Sequence, residues 1–172
     1  MKSNWIEKTV NAIKDLQEWA TYFHENVVKV PPCVTVHLGI FVEPYLGFIF
    51  DGTKTIESRF SVNRCAPFGV VRTGDVLLIK EAAGPITGIC KIGNVWSYRV
   101  EPETLFELQT RFQVAMCAED PSFWTDRHDA GFATLMQIGN VSKLQPFEIE
   151  KRDRRGWVVV RRRTRQLQLW DE

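Results

Sequence analysis

Six apolar stretches of strand length constrain this chain more than anything else in it. They are Val34 to Val42, Thr55 to Val62, Asp75 to Glu81, Ile86 to Arg99, Met136 to Leu144 and Trp157 to Arg163. Most are rich in β-branched and aromatic residues, and Gly, Pro, Asn and Asp cluster between them. Helical patterning interrupts this series at two places. A short segment, Glu43 to Phe50, follows the first strand; Glu101 to Ala118, with a second, shorter helix inside Pro121 to Leu135, follows the fourth. Strands dominate and helices are inserted, so the order predicts an α+β fold built on a small, partly closed β-barrel. Gly93 inside the fourth strand marks a bulge.

Residues 4 to 28 read as one long helix ahead of the barrel. Ile6, Val10, Ile13, Leu16, Ala20, Phe23 and Val27 recur at three- and four-residue steps and form an apolar stripe. Asn4 followed by Glu7 has the spacing of a capping box, and Pro31-Pro32 ends the segment. The stripe covers either the outside of the barrel or a second copy of the chain. The later helix from Glu101 carries Pro102 in its first turn and turns Leu105, Phe106, Leu108, Phe112 and Ala115 or Met116 inward. These boundaries give an N-terminal helix over 1–30, a barrel over 34–163 and a tail over 164–172.

At 172 residues, 44% hydrophobic and 25% charged, the chain has the composition of one globular domain with a substantial core. No apolar run approaches the ~20 residues that cross a bilayer, and Glu7, Asp15 and Glu18 break any signal-peptide pattern. A cytoplasmic protein with no membrane partner is expected. Cys33, Cys65, Cys90 and Cys117 are spaced 32, 25 and 27 residues apart, with no C-x-x-C pair. Reduced thiols, no metal and no cofactor follow from that spacing. The net charge of +1 conceals an asymmetry: residues 151–172 carry eight basic and three acidic residues, +5, which leaves −4 for the rest. A basic end on a neutral chain points to an anionic partner.

Chemistry concentrates in Gly52-Thr-Lys-Thr-Ile-Glu-Ser-Arg59. Strand alternation places Thr55, Glu57 and Arg59 on one face. Lys54, beside the Asp51-Gly52 turn, reaches toward Glu57. Glycine at position 52 permits a tight turn and close approach of a ligand to the backbone. A carboxylate can accept hydrogen bonds from a base edge, a guanidinium can grip a phosphate or carbonyl, and an ammonium can bind phosphate or, if burial lowers its pKa, act as a base. The same residues also suit a plain ion pair at a sheet edge.

The G-x-K-x-x-E-x-R spacing of Gly52, Lys54, Glu57 and Arg59 resembles the signature of the ASCH domain, a small β-barrel family of the PUA-like group. Gly74-Asp75 followed by the strand Val76 to Lys80 resembles that family's next element. Gly84 to Val95 resembles its following strand pair, and Pro146 to Val160, with Lys151, Arg152 and Trp157, its closing strand. The likeness spans residues 34 to 161. It implies a cleft for RNA, another single-stranded nucleic acid or a nucleotide, lined by Gly52, Lys54, Thr55, Glu57 and Arg59. It also implies a possible hydrolase, with Lys54 and Glu57 as catalytic groups: an N4-acetylcytidine-type amidohydrolase or a metal-independent ribonuclease. The amidohydrolases resemble this motif with a threonine where this chain has Glu57. Their further helix carboxylate would here be Glu107, Glu119 or Asp120.

Basic residues extend the candidate site. Arg64 and Arg72 lie in the loop Asn63 to Thr73, with Phe68, and that loop is either a lid or an ordinary surface connection. Lys151 to Arg165 place Arg161 and Arg163 beside Trp157, with Trp170 beyond, offering phosphate contacts and an aromatic plate. Trp157 itself reads as core, and so does His37. His128, in a polar segment with Asp126, Arg127 and Asp129, is the histidine best placed to reach a cleft.

Overall fold

The structure is a computed structural model, and residues 4–150 and 154–164 are described. Six strands form a single sheet: β1 (Val36–Phe41), β2 (Ile56–Ser61), β3 (Val76–Glu81), β4 (Ile86–Arg99), β5 (Phe132–Phe147) and β6 (Trp157–Arg161), in the spatial order β2-β5-β4-β3-β1-β6. All neighbours are antiparallel except β1 and β3. Helices α3 (Tyr45–Phe50), α4 (Pro102–Met116) and α5 (Pro121–Thr125) are inserted where the apolar pattern changes period. The sheet curls into a half-barrel with β2 and β6 at its open seam.

The N-terminal segment departs from a single helix. It divides into α1 (Trp5–Ile13), α2 (Gln17–Phe23) and a π-helical turn, His24–Val28. Trp5, Thr9 and Ile13 are buried at four-residue steps in the first piece, and Trp19, Phe23 and Val27 in the second. The six residues from Ile13 to Trp19 put those two stripes on different sides of a straight helix, so the break at Lys14–Leu16 brings both onto one surface. Val10, expected in the stripe, is exposed instead. Asn4 occupies the N-cap but its side chain makes no capping bond. The buried face packs on Val36, Leu38, Val76, Leu78, Ile86, Ile89 and Leu144, so the apolar stripe belongs to the chain's own core.

A second core fills the concave side of the sheet with Phe41, Ile49, Leu77, Ile79, Cys90, Ile92, Met136 and Trp157. A third lies under α4 and α5. Leu108, Phe112 and Met116 of α4 point inward, as the four-residue repeat requires; Phe106 falls on the opposite face and is exposed. The β4–β5 ladder shifts register between Ile92 and Val95, around Gly93. β5 begins four residues before the expected Met136, because Phe132 to Leu135 pair with both β2 and β4.

Candidate functional site

Asp51-Gly52 ends α3, with Gly52 at φ +82°, a conformation open to glycine and strained for other residues. The turn sends the chain back along β5. Lys54 then lies buried at its root. Its ammonium donates to the carbonyls of Ile56 (2.9 Å) and Met116 (2.8 Å) and stands 3.4 Å from Glu57 Oε2. Met116 ends α4, and Cys117 follows in the left-handed conformation. Lys54 therefore caps a helix C-terminus whose carbonyl has no partner within the helix, and its charge complements the helix dipole there.

Glu57, also buried, pairs on its other side with Arg59: Oε1 is 2.7 Å from Nε, with the N–H directed away from the line between them. Arg59 then crosses the open seam. Its Nη2 donates to the carbonyl of Ile40 in β1 (3.0 Å) and its Nη1 to that of Gly156, immediately before β6 (3.2 Å). The guanidinium carbon lies 4.9 Å from the ring centre of Phe41 and 5.2 Å from that of Trp157. One side chain from an edge strand thus ties both ends of the curled sheet. A Cβ at Gly156 would stand 3.3 Å from Arg59 Nη1, a tight contact with that side chain.

The three motif side chains converge, but they do not share one solvent-facing surface. Lys54 and Glu57 have 4% and 5% exposure. Arg59 is the member that opens onto a pocket of about 260 Å³. Trp157, Phe68, Cys65, Pro67 and Thr134 are among the residues that line it. Thr134 faces the same way as Arg59 because the two are paired across β2 and β5. The loop after β2 folds over this space through Cys65 to Phe68, and Phe68 is anchored edge-on against Phe132, 4.9 Å between ring centres.

Trp157 is held from behind. Its indole N–H donates to His37 Nδ1 (3.1 Å), which leaves the imidazole proton on Nε2, 3.0 Å from Asp75 Oδ2. Asp75, fully buried, also accepts from the backbone N–H groups of Thr35 and Arg72 and from Arg163 Nη2. His37 and Trp157 are core residues, as their strand positions imply. Arg163 is drawn inward, donating to Asp75 at 2.9 Å and to the carbonyl of Val70 at 3.1 Å.

The remaining candidates scatter. Gly52 and Thr55 are exposed at the turn and lie outside the pocket lining; Arg72 is exposed, with its backbone serving Asp75. Arg64 is exposed and packs on Phe68, 5.5 Å from its ring centre. Arg161 is half-buried on β6. Lys151, Arg152, Arg165 and Trp170 lie outside the described residues. His128 is exposed on the α5 side with Nδ1 against the carbonyl of Thr125. Its neighbour Arg127 packs inward, 3.5 Å from the Phe123 ring centre, and burial lowers its pKa. Glu107 pairs with Arg111 on the outer surface of α4, and Asp120 caps α5 through Ser122 N–H. Among the described residues there is no cluster of three or more His, Cys, Asp and Glu that could hold a metal, and no helix long and apolar enough to cross a membrane.

Sequence reasoning missed Thr134 as a lining residue. Thr134 lay ahead of the expected start of β5. Its signal was a single polar residue inside the apolar run Phe132 to Met136, whose last four members are all buried.

No protein-family model and no curated protein matches this sequence. Solved structures do. The ASCH protein of Zymomonas mobilis aligns over 64% of this chain and 71% of its own, with a TM-score of 0.52 and 12% identity. A serine-to-alanine variant of that protein aligns over 73% of this chain and 88% of its own, with a TM-score of 0.58 and 11% identity. A tyrosine-to-phenylalanine variant gives 65%, 74%, 0.51 and 13%. At such identities the likeness defines the fold alone, and the fold is the half-barrel of these ASCH structures.

Proposed function

We propose that this chain binds single-stranded nucleic acid, RNA above all, or a nucleotide, by taking one base into the pocket over Arg59. The observation that carries this reading is the lining itself. Trp157 and Phe68 line the pocket together with Arg59, and Arg64 packs on Phe68 beside it. Aromatic faces supply sequence-tolerant stacking worth roughly 1–3 kcal/mol per base. Cations at the rim supply salt-dependent phosphate contacts. At about 260 Å³ the space is smaller than the ~300–1,000 Å³ pockets of drug-sized ligands, which suits a single flat ring.

Lys54 and Glu57 act in this reading as positioning residues. Lys54 donates to the carbonyls of Ile56 and Met116 and stands 3.4 Å from the Glu57 carboxylate, and neither Lys54 nor Glu57 lines the pocket. That arrangement favours binding over a lysine-based hydrolytic mechanism. Arg163, committed to Asp75, serves the fold in the same way.

Equilibrium binding of a short fluorescent single-stranded RNA to the full chain tests the reading. Wild-type protein is expected to bind it more tightly than the matching duplex. Phe68→Ala should weaken binding roughly ten-fold by removing one stacking wall. Arg64→Ala should reduce the slope of log K against log salt by about 0.7, the loss of one phosphate contact on a single strand. Equal affinity for duplex and single strand, with no effect of Phe68→Ala, contradicts it.

A further inference from the structure

Ser61, Phe132 and Arg99 stand in one row across the end of the sheet. Ser61 of β2 pairs with Phe132 at the start of β5, and Phe132 pairs in turn with Arg99 at the end of β4. Residues directly opposite on neighbouring strands share a face. Ser61 lines the pocket, so the row leads away from it across two strand spacings, about 10 Å. Phe68, also in the lining, packs edge-on against Phe132. Both rings are half-buried, so each keeps surface open beside the pocket.

A cation rests on each ring. The guanidinium carbon of Arg64 lies 5.5 Å from the centre of Phe68, and that of Arg99 lies 5.9 Å from the centre of Phe132. Both arginines are exposed, and neither guanidinium has a carboxylate or carbonyl partner among the described residues. Other arginines are committed: Arg59, Arg111 and Arg163 pair with carboxylates, and Arg127 donates to the carbonyl of Phe123. Contact with a ring engages the face of a guanidinium and leaves the five N–H donors in its plane available. A phosphate accepts two of them in parallel. A mononucleotide seated in the pocket offers one phosphate group where this file of residues has two free cations.

The basic edge of β6 runs in another direction. Arg161 lies four residues beyond Trp157, about 13 Å along the strand, and rests on no ring among the described residues. Arg163 is held by Asp75.

We infer that the ligand is an oligonucleotide rather than a free nucleotide, and that its chain leaves the pocket across Phe68 and Phe132 with phosphates on Arg64 and Arg99. This rests on the nucleic-acid reading above and adds the length of the ligand and its path over the sheet. Arg99 belongs to no sequence motif; strand pairing alone brings it to the pocket's edge.

The test titrates the full chain with uridine monophosphate and with fluorescent uridylates of two, four and eight nucleotides, over a series of salt concentrations. Wild type is expected to bind the tetranucleotide at least ten-fold more tightly than the mononucleotide at low salt. Arg99→Gln should leave mononucleotide affinity within two-fold of wild type and weaken the tetranucleotide about five-fold. It should also reduce the slope of log K against log salt by about 0.7, one phosphate contact on a single strand. Arg99→Lys should keep most of that slope. Unchanged tetranucleotide affinity and slope in Arg99→Gln overturn the inference, and so does an equal loss for mononucleotide and tetranucleotide, which would place Arg99 at the pocket itself. Arg161→Gln is the competing arm: a slope lost there and kept in Arg99→Gln sends the chain over β6 and also overturns it. If wild type binds all lengths alike, the inference fails and the binding reading stands. If wild type binds none of them, both fail.

Discussion

Arg59 shows how much one side chain can be asked to do. It pairs with Glu57, ties β1 and the start of β6 to β2, and still lines a pocket. Lys54 completes the set by capping α4. Two cations share one carboxylate almost out of contact with water, so the three are mutually dependent: removing one partner of such a buried pair costs about 3–5 kcal/mol, because the other charge is left uncompensated. Lys54→Met and Glu57→Gln are each expected to lose stability on that scale in urea unfolding. The double variant should lose less than their sum by 1 kcal/mol or more, since it no longer strands a lone buried charge of that pair. Additive losses would show that Lys54 and Glu57 do not act together.

At the scale of elements, the N-terminal helices carry stability and the loop after β2 carries the pocket. α1, α2 and the π-helical turn lie on the convex face of the sheet, with Phe23 fully buried and edge-on to Trp5 at 6.4 Å. Phe23→Ala is expected to cost about 3–5 kcal/mol through lost burial and the cavity left behind. Below its lowered Tm, the RNA affinity of that variant should match wild type; a parallel loss of affinity would tie the helices to the ligand. The strand series, the two helical insertions and the bulge at Gly93 were legible because period and turn chemistry are local properties. The break between α1 and α2 was not, because Lys14-Asp15-Leu16 holds no Gly or Pro, and only the sheet beneath requires the two stripes to be rephased. Phe106 failed for a related reason: on a helix with one buried side, three-residue and four-residue steps compete, and the contact decides.

For the whole molecule, the half-barrel turns a charged sequence motif into a seam lock and places a pocket where the lock closes. The motif was readable as a cluster, and its three members do come together. That Lys54 would be sealed inside with Glu57 was hidden, because the acceptors that hold its ammonium, at Ile56 and Met116, are backbone carbonyls. No residue type announces those. The pairing of Arg163 with buried Asp75 was hidden as well, since Asp75 lies 88 residues away and reads locally as a turn residue before a strand.

Photo-crosslinking locates the ligand most directly. A short single-stranded RNA carrying 4-thiouridine, irradiated with the full chain and mapped by mass spectrometry, is expected to label peptides covering residues 59–68 and 155–157. Labelling confined to the outer surface of α4 or to the N-terminal helices would contradict the account.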